Sequence, residues 1–249
     1  MKKLAIAIGA PALILSGAAQ ADTVVGLYAG AQVWDTSNSG QFGTGNGNQS
    51  FAFTDEKQTS FYIAVEHPIP FLPNIKIREN ELVSYGATTL TQDFNFNGQM
   101  YSANSSITSY VDLSHTDFTL YYELFDNDLI AFDLGMTGKK VDGWLAIREG
   151  INENGIRSDG WIPTGYAHLR LGIPGTYLTF YGIANAISVD DSSVHDFEVG
   201  AEYRLVDSIA LDLNLQIGYR DIKIELDDLD GVYSDLKFKG PYLGLEVHF

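Results

Sequence analysis

The 249-residue chain carries 32 acidic and 15 basic residues and no cysteine, for a formal net charge of −17. That imbalance repels phosphate polyanions and excludes nucleic acid as the main partner. The absence of thiols excludes disulfides, thiolate metal sites and cysteine nucleophiles. A mean hydropathy of −0.04 neither shows nor excludes a membrane location, so the pattern has to decide.

At the start of the chain, Lys2 and Lys3 precede an apolar run from Leu4 to Ala19, and Ala19-Gln20-Ala21 supplies the small residues a signal peptidase needs. This predicts a secretory signal over residues 1–21 and a mature chain over residues 22–249. Losing the two lysines makes the exported chain more acidic still.

Beyond Asp22 the chain alternates with period two, the mark of strands with one apolar face. Val25, Leu27, Ala29, Ala31 and Val33 oppose Gly26, Tyr28, Gly30 and Gln32. The beat returns at Phe61, Ile63 and Val65, then at Phe118, Leu120, Tyr122 and Leu124, and again at Ile130, Phe132, Leu134 and Met136. Ala167, Leu169, Leu171 and Ile173 continue it, followed by Phe197, Val199, Ala201 and Tyr203. In 209–219 Ile209, Leu211, Leu213, Leu215 and Ile217 oppose Asp212, Asn214 and Gln216, which excludes a helix. A shorter strand at 75–78, one at 177–186 after the Pro174-Gly175 turn, and a closing strand at 242–249 bring the count to about ten, with eight and twelve as alternatives.

Three features together point away from a soluble sandwich, of which the second is shared by both folds. Short connections (67–73, 125–128, 174–175, 206–208) take turns with long ones (35–57, 79–112, 140–160, 221–235), the asymmetry of outer-membrane barrels; 188–193 is a shorter member of the second class. The polar faces carry Glu66, Lys76, Arg78, Asp117, Glu123, Asp133, Lys139, His168, Arg170, Glu198, Glu202, Arg204, Asp212 and Glu246, charges that must meet water or each other. Trp34, Tyr121, Tyr122, Tyr177, Tyr181, Tyr203, Tyr219 and Phe249 fall near strand ends, where aromatic girdles meet lipid headgroups. Since lipid tolerates no unpaired strand edge, the expected fold is all-β: a transmembrane antiparallel up-and-down barrel with short periplasmic turns and longer extracellular loops.

The signal, the closing strand with Tyr242, Leu243, Leu245, Val247 and the terminal Phe249, and the turn from His67 to Asn74 resemble a poorly characterised family of small Gram-negative outer-membrane β-barrel proteins. The resemblance implies an outer-membrane location. It also implies the barrel-assembly machinery as a partner that reads the terminal aromatic strand, and it brings no catalytic residues.

Little in the sequence points to chemistry. The five upper segments hold 19 acidic and 5 basic residues, a surface suited to hydration or to cations bridging lipopolysaccharide. The 225–231 segment resembles a calcium loop but lacks its acid spacing and closing glutamate, and no metal or cofactor is expected. His115 and Asp117 share a face, yet Ser114 points the other way, so a hydrolase would need a distant serine such as Ser109 or Ser192. The glycine-rich 40–48 segment reads as a flexible loop. The expectation is therefore a monomeric, non-enzymatic barrel whose lumen is filled by ion pairs, with Arg78, Arg170 and Arg204 set against Glu123, Glu198, Glu202 and Asp212. The alternatives are a narrow or gated pore for a small solute and a lipid or peptide hydrolase.

Overall fold

The computed structural model describes residues 25–249 except Asn46, Asp128, Ile209 and Asp230. The signal expected over 1–21 lies outside the described residues, as does Ile209 of the strand expected at 209–219. In chain order the strands are β1 (Gly26–Thr44), β2 (Gly47–Phe53), β3 (Glu56–Glu66), β4 (Asn74–Asn80), β5 (Val83–Thr89), β6 (Phe94–Phe96), β7 (Gln99–Tyr101) and β8 (Ser106–Asp112). There follow β9 (His115–Asp126), β10 (Ile130–Glu149), β11 (Asn152–Gly172), β12 (Leu178–Val189), β13 (Ser192–Val206), β14 (Asp212–Leu229) and β15 (Val232–His248).

Ten of them, β1, β3, β4 and β9 to β15, form an antiparallel ring that closes where β15 pairs with β1, with Tyr28 opposite His248. The chain is a ten-stranded up-and-down barrel, as the alternation predicts. Both described chain ends and the short connections lie at one end, here the lower. There the last residue is stitched into the wall: Phe249 N–H donates to the Leu27 carbonyl at 2.9 Å and Leu27 N–H to the Phe249 carbonyl at 3.3 Å.

The upper segments correct the sequence reading, because they are strands and not loops. β10 and β11 run on to a two-residue turn at Gly150-Ile151, and β14 and β15 pair up to Leu229 opposite Val232. The reason lies in β14. Below, Leu213, Leu215, Ile217 and Tyr219 face outward while Asn214, Gln216 and Arg220 are buried inside; above, Ile222 and Ile224 are buried inside while Asp221, Lys223 and Glu225 lie on the other face. The beat never slips, but its apolar phase inverts, so charge-rich segments that look like loops still bury an oily face.

A second storey results. β1 exchanges its partner β3 for β2 above Gly40, and β10 exchanges β9 for β8 above Trp144, so β2, β5 and β8 continue the wall that β3, β4 and β9 build below. Its interior is apolar, with Phe42, Phe238, Leu82, Ile107, Ile147 and Leu236 all at most 1% exposed. Each such burial is worth about 1.5–3 kcal/mol. The hairpin β6–β7 plugs this storey with Phe94, Phe96 and Tyr101. Its tip, Asn97-Gly98, has φ of 47° and 78°, the left-handed pair that a tight two-residue hairpin needs.

The girdle expectation also needs correction. Tyr122, Tyr177, Tyr203, Tyr219 and Phe249 are exposed, but Trp34, Tyr121 and Tyr181 are buried. The lower lumen is wide enough to need large side chains, and their polar atoms find partners there.

Candidate functional site

The lower lumen is the site that strand alternation builds. Two cross-strand pairs narrow it: Tyr62 lies over Gly30, and Tyr242 over Gly218. A Cβ on either glycine would come within 2.2 to 2.6 Å of the ring atoms.

Beneath the junction of the two storeys, three cations and three anions are buried together. Arg78, Lys139 and Arg220 face Asp117, Asp196 and Glu198, each at most 6% exposed. Arg220 binds Asp196 in bidentate fashion, Nε to Oδ1 and Nη2 to Oδ2, both at 2.8 Å. It also donates Nη1 to Asn80 Oδ1 at 3.0 Å and lies over the Trp34 ring at 5.1 Å. Lys139 Nζ bridges Asp117 Oδ2 at 2.9 Å and Asp196 Oδ2 at 3.1 Å. Arg78 pairs with Glu198 and donates to Gln32 and Ser60. The group is neutral as a whole, the condition under which buried charge is tolerated.

A second layer lies below. Arg170 binds Glu202 at 3.2 Å, Gln216 joins Glu202 at 3.1 Å to the Tyr62 hydroxyl at 3.2 Å, and that hydroxyl donates to Glu246 at 2.6 Å. Lys76 Nζ sits 4.3 Å above the Tyr62 ring, and His168 Nδ1 meets Asp133 at 3.1 Å. Glu66 accepts from Tyr121 at 2.8 Å. A cavity of about 30 Å³ lies between Tyr62, Lys76, Arg170 and Glu246. That is room for about one water.

Of the pairings expected from sequence, the structure brings together Arg78 with Glu198, Arg170 with Glu202 and, at a longer distance, Arg204 with Asp212. Arg204 is 42% exposed at the lower mouth, 3.9 Å from Asp212 and 3.8 Å from Asp207. Glu123 is exposed and makes no ion pair with an arginine among the described residues. Arg220 lies one residue beyond the strand that the alternation predicts over 209–219. Asp196 alternates with Phe197 on the polar side of its strand, but nothing in the sequence gives it a partner, and the amide side chains of Gln32, Asn80 and Gln216 carry no charge to draw notice.

His115 Nε2 and Asp117 Oδ1 are 3.7 Å apart, but the arrangement of a nucleophilic triad is not made. His115 Nδ1 binds the Leu113 carbonyl at 2.9 Å, and Ser114 Oγ accepts from Leu82 N–H at 3.1 Å. His115, Asp117 and Asp196 each place one ligand-type atom within 4.8 Å of the others, with the Lys139 ammonium bonded to both carboxylates. On the closing strand, Tyr242 is buried while Leu243, Leu245 and Phe249 are exposed.

No protein-family model matches the chain, and no curated protein matches it. Solved structures that resemble it are Gram-negative outer-membrane barrels. Neisserial surface protein A is 12% identical, with 90% of this chain and 97% of that one covered and a TM-score of 0.31. The transport unit of the autotransporter AIDA-I from Escherichia coli is 10% identical over 95% and 93%, with a TM-score of 0.40. A Pseudomonas aeruginosa FadL homologue is 9% identical over 91% and 90%, with a TM-score of 0.35.

Proposed function

We propose that this chain is a resident, non-enzymatic barrel of the outer membrane of a Gram-negative bacterium, acting as a closed wall element that presents an acidic upper storey to the exterior. The short-turn end then faces the periplasm. The observation that carries the reading is the lumen at the level of Tyr62, Arg170 and Glu246, where hydrogen-bonded and ion-paired side chains enclose a cavity of about 30 Å³. Eight strands leave room for side chains alone, sixteen or more leave an aqueous channel, and ten strands lie near the narrow end. The apolar storey above adds a second seal of a different kind. Lipid and lipopolysaccharide are the expected surroundings, the assembly machinery the expected partner during biogenesis, and the monomer the working form.

Single-channel recording in planar bilayers tests this. Wild-type protein is expected to give no reproducible steps. Arg170→Ala is expected to stay silent as well, because the upper apolar seal is untouched by it. Regular conductance steps in the wild type that change with Arg170→Ala would overturn the closed reading in favour of a narrow pore.

A further inference from the structure

Strand register builds a depression on the outer face of the upper storey. Tyr85, Tyr110, Ala146 and Gly155 stand side by side across β5, β8, β10 and β11. Their strand neighbours Ser84, Ser109 and Ile147 are buried inside, so the row itself points out. It falls from two large side chains to two small ones. Trp144 lies one pleat below Ala146, and Arg148, opposite Glu153, one pleat above. The Trp144 indole leans across Gly155, where a Cβ would come within 2.3 to 2.8 Å of its ring carbons. A cavity of about 500 Å³ results, in contact with Tyr85, Tyr110, Trp144, Ala146, Arg148 and Glu153. Pockets for small ligands span ~300–1,000 Å³.

These rings do not belong to a membrane girdle. Trp161 packs on Phe118 at 5.5 Å at the top of the lipid-facing band. In the row of Trp161 the other outward positions are already Glu79, Thr116 and Lys140, and above them come Glu81 and Asp142. On a wall bathed by water, three clustered aromatic rings are the exception, and such patches mark interaction sites. The patch is within reach of a ligand: Tyr85 is 51% exposed, and the Arg148 and Glu153 side chains 58% and 40%.

The polar rim selects the ligand. Arg148 Nη2 donates to Glu153 at 2.5 Å, which uses one of five guanidinium N–H groups and one carboxylate oxygen, so the pair is neutral yet keeps donors and acceptors in hand. An anion would meet the acidic excess of this storey, and a cation would find Glu153 already paired. The Asp112 carboxylate is likewise engaged, by the Tyr110 hydroxyl at 3.2 Å. A hydrocarbon would strip water from Arg148 and Glu153 and return no hydrogen bond. What fits is a neutral molecule with an apolar face and a rim of hydroxyls, each of which both donates and accepts.

We infer that this depression is a binding site for a neutral saccharide. A pyranose ring sets its C–H face against the aromatic side chains, whose ring faces carry the negative end of the quadrupole. Its hydroxyls accept from Arg148 and donate to Glu153. On the orientation proposed above the site looks outward from the cell, and the binding itself depends on neither orientation nor conduction.

Saturation-transfer NMR tests this with the full-length protein in lipid nanodiscs and methyl β-D-glucopyranoside as the probe, whose equatorial hydroxyls leave both ring faces to C–H. Saturable transfer is expected, strongest at the ring protons and absent from empty nanodiscs. Cyclohexylmethanol, a ring of the same size with a single hydroxyl, is expected to bind at least about ten-fold more weakly, equivalent to about 1.4 kcal/mol. Tyr85→Ser and Arg148→Ala are each expected to weaken the glucoside to the same degree; both side chains are exposed, so the amide spectrum of the barrel should stay unchanged. Absence of saturable transfer, tighter binding of choline, or wild-type affinity in either variant would overturn the proposal. Equal binding of cyclohexylmethanol would also overturn it and leave the rings to a protein partner.

Discussion

In the lower half of β15, Leu243, Leu245 and Val247 look outward and Tyr242, Gly244 and Glu246 look in. Higher on the same strand Leu236 and Phe238 look in, and Lys237 and Lys239 take the outward positions. The wall is one continuous sheet, and its pairing with β1 carries through both halves. What changes is the solvent on the outside. Below, hydrocarbon takes the apolar face and the interior must balance its own charges. Above, water takes the polar face and the interior is oil. The two storeys therefore owe their stability to different forces and should fail differently.

The largest difference is expected at the charge cluster. Arg220→Met leaves Asp196 with Lys139 alone and removes the donor to Asn80, and breaking a buried pair from one side costs about 4 kcal/mol. Urea unfolding in lipid vesicles should record that loss as a shift of the whole transition, because the cluster joins β4, β9, β10, β13 and β14. In the upper storey Leu236→Ala is expected to cost about 3 kcal/mol through the cavity it leaves. Hydrogen exchange should rise in β6, β7 and upper β15 while the lower strands stay protected; equal loss of protection in both halves would merge the storeys into one cooperative unit. Outward-facing positions should reverse the contrast. Leu245→Arg puts charge against acyl chains, but nearer the lower interface than the midplane, so about 2 kcal/mol is expected. Lys237→Leu on the same strand above should change stability by no more than about 0.5 kcal/mol. A gain of about 2 kcal/mol from Lys237→Leu would mean that lipid does not stop where β14 and β15 invert.

Most of the lower storey was legible because hydrocarbon enforces a simple rule: alternate residues are apolar and the remainder carry the charge. Arg78, Glu198, Arg170 and Glu202 could be placed in the lumen on that rule alone. The upper storey looks like loops in the sequence because 221–235 is rich in charge, although Asp221, Lys223 and Glu225 are one phase of an alternation whose other phase is Ile222, Ile224 and Leu226. The inversion at Tyr219–Ile222 was in the sequence, but recognising it requires knowing where the membrane stops. Arg220 was lost at the same boundary. The aromatic depression on the outer face was hidden for another reason: Tyr85, Tyr110 and Trp144 are visible in the sequence, but which of them stand beside Ala146 is a matter of register between strands.

The smallest effect expected of the comparison is a titration in the water-facing storey. Tyr110 on β8 lies with its ring 5.2 Å from that of Tyr85, tilted by 42°, and donates its hydroxyl proton to Asp112 Oδ2 at 3.2 Å. Its pKa is pushed up to about 12, first by partial burial and then by the Asp112 carboxylate, which disfavours a second negative charge beside it. The folded state thus holds a proton that the unfolded chain releases near pH 10, so the contribution of this group is present in full below that pH and is lost as the pH rises through about 12. The side chain is partly solvated, and the loss is expected to be small beside those above. Ultraviolet titration of the folded protein should show a step near pH 12 that Tyr110→Phe removes. Asp112→Asn should return that step toward pH 10 with the fold intact; a step that stays in place would assign the shift to burial alone.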